Sequence, residues 1–145
     1  MMASVFDVAK YILYEQGPMS TWKLQKLCYY AQAWTLAWEE RPLFDEDFQA
    51  WRNGPVCPAL FEYHKGMFTI SFDDLPVGDI NALSTDDIEN ITAVLAHYGD
   101  KEPYWLREQS HSEDPWKNAR KNLPDDASSS IVIPKEAMGA YYGSL

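Results

Sequence analysis

The sequence predicts a mainly α (α+β) protein: a compact bundle of about five to seven helices around a central apolar helix, with a small antiparallel β element. Three observations predict this. Apolar residues recur at helical spacing over most of the chain. One such run, residues 21–40, is apolar nearly all the way round, as a helix in the middle of a bundle is. Only one short segment alternates with the period of a strand. The chain has 145 residues, the size of one domain, and residues 1–145 are read as one. A chain of this length buries roughly 68–70% of its unfolded surface, so the core needs no metal or disulfide.

The elements follow in order. Val5 to Gln16 reads as a helix on the spacing of Val5, Val8, Ala9, Ile12 and Leu13, stopped by Gly17-Pro18. Ser20 caps a second helix from Thr21 to about Glu40. Leu24, Leu27, Cys28, Ala31 and Trp38 form its apolar face, widened by Tyr30, Ala33, Trp34 and Ala37. Arg41-Pro42 breaks it. Leu43 to Arg52 reads as extended, Asn53-Gly54-Pro55 as a turn, and Val56 to His64 as a short helix. Met67 to Phe72 is the alternating strand, and Asp73 to Leu83 a loop. Ser84, with Asp87 three residues on, opens a helix striped by Ile88, Ile91, Leu95 and Tyr98. Pro103 starts another. Asp114-Pro115 serves as cap and first residue of a short helix through Lys121. Leu123 to Ser130 is a loop, Ile131 to Ile133 is extended, and Pro134 starts a last helix with Met138, Tyr141 and Tyr142.

Charge narrows the function classes. Twelve Lys and Arg against twenty-two Asp and Glu give a net charge of −10. Nucleic acid is bound by clustered cations, so direct nucleic-acid binding is disfavoured, while a basic protein partner would be steered favourably. The six Trp, nine Tyr and six Phe suit either a dense core or a binding surface. Cys28 and Cys57 sit in apolar runs outside any C-x-x-C pair and read as buried free thiols. Asp7 and Lys10 interrupt the first apolar segment, and no run of apolar residues is long enough to span a bilayer. The expectation is a cytoplasmic protein without membrane contact. No glycine-rich phosphate loop occurs, and no cofactor is expected.

Three segments carry a family resemblance: Lys23-Leu24-Gln25-Lys26-Leu27-Cys28-Tyr29-Tyr30-Ala31-Gln32-Ala33-Trp34; Pro42-Leu43-Phe44 through Phe48-Gln49-Ala50-Trp51-Arg52-Asn53-Gly54-Pro55-Val56; and His111-Ser112-Glu113-Asp114-Pro115-Trp116-Lys117-Asn118-Ala119. In this order and spacing they resemble the Panacea (SocA-like) antitoxin domain, a phage-associated family. Cys57, where an aliphatic residue is expected, and Ser110, where Thr is commoner, are small departures. The resemblance implies a compact helical antitoxin that neutralises a cognate protein toxin encoded by a neighbouring gene, usually by direct contact. Some relatives act as adaptors that hand the toxin to a protease.

The same segments hold the candidate partner-binding residues. Lys23 and Lys26, beside Tyr29, read as outward-pointing cations that either meet an acidic or aromatic partner or are simply solvated; Gln32 points outward with them. Trp51 either anchors a partner or packs beneath the turn at Asn53, Gly54 and Pro55, which itself reads first as backbone geometry and second as a recognition loop. His111 with its acidic neighbours suggests general-base or metal chemistry; against that, Asp114 caps a helix, Trp116 enters the core and His111 bonds a backbone group. No nucleophile or second histidine stands at a recognisable spacing, so no enzyme is expected. Tyr141 and Tyr142 cannot face the same way, so Tyr142 or its neighbour is open to a partner. The rival readings are a DNA-binding regulator built on the first two helices and a hydrolase using His111.

Overall fold

The computed structural model describes residues 2–145, with seven α-helices and two two-stranded antiparallel sheets among them. Helix α1 (Val5–Gln16) starts at Ser4, whose Oγ accepts the Asp7 amide while the Asp7 carboxylate accepts the Ser4 amide. Its Val5, Val8, Ala9, Ile12 and Leu13 are buried. Helix α2 (Thr21–Glu39) is capped by Ser20 and ends at Glu40, which takes the left-handed conformation. It is the spine: α1, α4 (Thr85–Tyr98), α5 (Pro103–Ser112) and α7 (Lys135–Gly143) all pack on it. Helix α4 carries the expected Ser84–Asp87 box.

The β element is larger and differently placed than the sequence predicts. Strand β1 (Met19–Ser20) pairs with β4 (Thr69–Ile70), and β2 (Gln49–Trp51) pairs with β3 (Gly54–Val56). The turn lies at Arg52 and Asn53, so Gly54 and Pro55 already belong to a strand, and α3 begins at Pro58 and runs to His64. The predicted loop from Asp73 holds two 3-10 turns, Phe72–Asp74 and Ile80–Ala82. The extended segment near Ile131 bridges β2 through Val132.

Two glutamines of α2 tie down the segments that flank the β2–β3 hairpin. Gln25 accepts the Cys57 amide at 2.8 Å and donates to its carbonyl at 3.2 Å; its Nε2 also lies 2.9 Å from His64. Gln32 accepts the Leu43 amide and donates to the Phe44 carbonyl, both at 2.7 Å. Gln32 is therefore buried, not outward as expected. A buried extended segment must find partners for its backbone groups, and here side chains of the central helix supply them. On the far side, buried Arg120 donates to the carbonyls of Ala50, Pro124 and Ala127, which fastens the loop after α6 (Asp114–Arg120). Among the described residues no helix is long and apolar enough to cross a membrane.

Candidate functional site

Side chains of α2, the β2–β3 turn and α5 meet around a cleft of about 230 Å³ lined by Trp22, Lys26, Asn53, Pro103, Tyr104 and Arg107. Lys26 corrects an expectation. It is not a solvated cation: the residue is 1% exposed, and its Nζ has no hydrogen-bond partner. The Trp22 ring centroid lies 5.2 Å from that ammonium. The hairpin backbone runs against its stem, because residue 54 has no side chain. A Cβ on Gly54 would stand 2.4 Å from Lys26 Cε and 3.2 Å from Ser110 Oγ. Burial, with the Arg107 charge beside it, pulls the ammonium down to about 7. Arg107 itself pairs with Glu108 at 2.8 Å. Among the described residues, no group of three or more His, Cys, Asp or Glu gathers to hold a metal.

Gly54 is thus held by two constraints, a positive φ of 115° and the Lys26 stem. Gly54→Ala is expected to lose about 2–5 kcal/mol, from backbone strain together with overpacking. Gly66→Ala, at φ 86° with nothing within 4 Å, loses only the strain, about 1–3 kcal/mol. Urea denaturation of the two variants checks the difference.

The other sequence candidates divide between this cleft and the core. Lys23 is half-buried, with its amide capping α2. Trp51 is half-buried with its ring 5.0 Å from Phe61, and its carbonyl accepts Trp116 Nε1 at 2.8 Å. Asn53 is half-buried at the cleft wall, while Gly54 and Pro55 are buried strand residues. His111 bonds no backbone group. It stacks on Trp116 at 3.8 Å with Nε2 buried and without a partner, and burial with the Arg107 charge pulls it down to about 4. Trp116 is in the core, as one of the two alternatives had it. The cap of α6 is Glu113 rather than Asp114.

Tyr29 and Tyr142, offered as partner contacts, are both buried. They belong to a polar knot. Glu113 Oε1 accepts Tyr30 Oη at 2.7 Å and Tyr142 Oη at 2.8 Å, Oε2 accepts Gln109 at 3.0 Å, and the Tyr29 and Tyr142 hydroxyls lie 3.1 Å apart. Desolvation pushes the pKa of all three phenols well above the ordinary tyrosine value, so each stays a neutral donor. Tyr141, the neighbour, is the half-exposed one.

The sequence reading missed an aromatic ridge. Trp38, assigned to the apolar face of α2, is 48% exposed; its ring lies 5.4 Å from Trp34. Trp34 donates to Tyr98 at 3.0 Å, and Tyr98 lies 6.3 Å from Trp105, which is itself exposed beside Tyr104 at 69%. The exposed rings therefore stand at the end of α2 and the start of α5, joined beneath the surface by buried Tyr98 of α4, and Tyr104 also borders the cleft. The available signal was position: Trp38 lies in the last turn of α2, and Tyr104 and Trp105 in the first turn of α5.

The family described as "Antitoxin SocA-like, Panacea domain" matches residues 24–117. The chain belongs to this family. No curated protein and no solved structure matches it. Within the matched span of this Panacea domain, Gln25 and Gln32 hold the backbone at Cys57 and at Leu43-Phe44, Glu113 gathers tyrosines, and Lys26 and Asn53 face the cleft.

Proposed function

We propose that the protein is an antitoxin that neutralises a cognate protein toxin, encoded by a neighbouring gene, through direct stoichiometric contact and without turning over a substrate. The family supports an antitoxin role. The observation that carries direct contact is the open ridge of Trp34, Trp38, Trp105 and Tyr104 on a chain of net charge −10. Tryptophan and tyrosine are the residues that most often dominate binding energy at interfaces, and an acidic surround guides a basic partner. A specific interface needs about 800 Å² per partner, which the ridge and cleft together can centre. A DNA regulator finds less support: α2 is buried under α1, α4, α5 and α7, so it has no free face for a groove.

Each adjacent gene is to be expressed in a bacterial host with and without the protein. One neighbour should arrest growth, and co-expression should restore it. Trp38→Ala with Trp105→Ala should leave the fold intact and weaken the complex by about 30-fold or more. A set of neighbours none of which is toxic, or toxicity that persists on co-expression, removes the antitoxin reading. Falling toxin levels on co-expression would mark delivery to a protease as the route.

A further inference from the structure

Lys26 is placed where an ordinary core would hold an apolar residue. A buried ammonium without a partner is costly, and a hydrophobic side chain of the same length is not. Its neighbours do not discharge it. Trp22 offers a ring face, and Ser110 Oγ donates to the Arg107 carbonyl at 3.0 Å. The charged or titratable groups around it are Arg107, Glu108 and His111 of α5 and His64 of α3. His64 is tied to Gln25. Glu108 already pairs with Arg107 from outside. His111 is neutral at physiological pH. With Lys26 protonated, two cations and one carboxylate leave one positive charge uncompensated at the cleft.

We propose that this cleft is the receptor for a single carboxylate of the protein partner, taken between Lys26 Nζ and the Arg107 guanidinium, with Trp22 and Tyr104 flanking the residue that carries it. The inference rests on the protein-binding function proposed above. One negative charge matches the single positive charge that the Arg107–Glu108 pair and Lys26 together leave over. The volume of about 230 Å³ equals roughly eight water molecules, room for one side chain or one chain terminus. Tyr104 belongs to both the cleft and the aromatic ridge, so one partner can cover both.

The test needs no toxin. Lysine Cε resonances of the labelled protein are followed by NMR through a pH titration, with Lys26 assigned by its loss in Lys26→Met. The probes are N-acetyl-Ala-Ala-Ala with a free C-terminus, N-acetyl-Ala-Glu-Ala-amide, N-acetyl-Ala-Gln-Ala-amide and inorganic phosphate, at matched ionic strength. At least one carboxylate peptide should raise the Lys26 midpoint by about 1–3 pH units, and the arm that does so tells a chain terminus from a side chain. Arg107→Ala should weaken that response at least about tenfold. Silence from both carboxylate peptides, an equal response to the glutamine peptide, or a stronger response to phosphate overturns the proposal. Loss of neutralisation in the co-expression experiment with the peptide response intact removes the antitoxin reading instead, so the two fail separately.

Discussion

Glu113→Ala is expected to lose about 3–5 kcal/mol of stability, a large part of the total for a domain of this size. The carboxylate is buried and carries the hydroxyls of Tyr30 and Tyr142 and the amide of Gln109. Removing it leaves the buried Tyr30 hydroxyl without an acceptor and takes a partner from Tyr142 and Gln109, each loss costing about 1–3 kcal/mol. Tyr142 retains Tyr29, which limits the loss. Glu113→Gln keeps an oxygen for the two phenols and should lose only about 1–2 kcal/mol. Thermal and urea denaturation rank the two. Hydrogen exchange should locate the damage in α7, which Tyr142 ties to Glu113 at the junction of α5 and α6. A Glu113→Ala protein within about 1 kcal/mol of wild type would show that the knot adds nothing beyond its apolar contacts.

Lys26→Met should act in the opposite direction and stabilise the fold. The folded ammonium titrates at about 7 and the unfolded one near 10.5. Between those values the unfolded chain holds more protons, so stability rises with pH, by about 1.4 kcal/mol per pH unit. Below about 7 both states are charged and the full penalty of the buried charge is present. Lys26→Met abolishes that penalty. The variant should therefore exceed wild type by about 1–4 kcal/mol at pH 6, and the gap should close as pH rises toward 9. The gap between the two proteins, measured by urea denaturation, is the informative quantity. Burial pushes the Cys28 and Cys57 thiols up, and their contributions fall with rising pH in both proteins alike. A gain in stability accompanied by weaker toxin binding would be the mark of a residue kept for recognition. A Met variant less stable than wild type at pH 6 would instead make Lys26 a structural residue.

Helices α1, α2 and α4 are legible because each announces itself twice, by apolar spacing and by a serine cap. The pairing of Met19–Ser20 with Thr69–Ile70 is not, since a two-residue strand has no pattern of its own and exists only through its distant partner. The hairpin at Arg52-Asn53 was displaced onto Gly54-Pro55 because those residues signal turns, whereas here the absent side chain of Gly54 makes room for Lys26. Glu113 was passed over as a cap because its carboxylate turns inward to the tyrosines instead of to the helix amides. At the site, Lys26 and Gln32 were given to solvent although α2 was read as apolar nearly all round. A helix enclosed on every side encloses its polar residues too, and each then needs a local role. Gln25 and Gln32 have theirs in the backbone at Cys57 and at Leu43-Phe44; Lys26 has none inside the chain.

The packing of α7 along α2 joins segments far apart in the chain, with Tyr142 meeting Tyr29 across 113 positions. On the ribosome, the centre of the molecule is made long before the piece that closes it. Until residues 135–143 leave the exit tunnel, the tyrosine-rich flank of the spine stays uncovered, so its closure waits on a contact of high sequence separation rather than following the making of the spine itself.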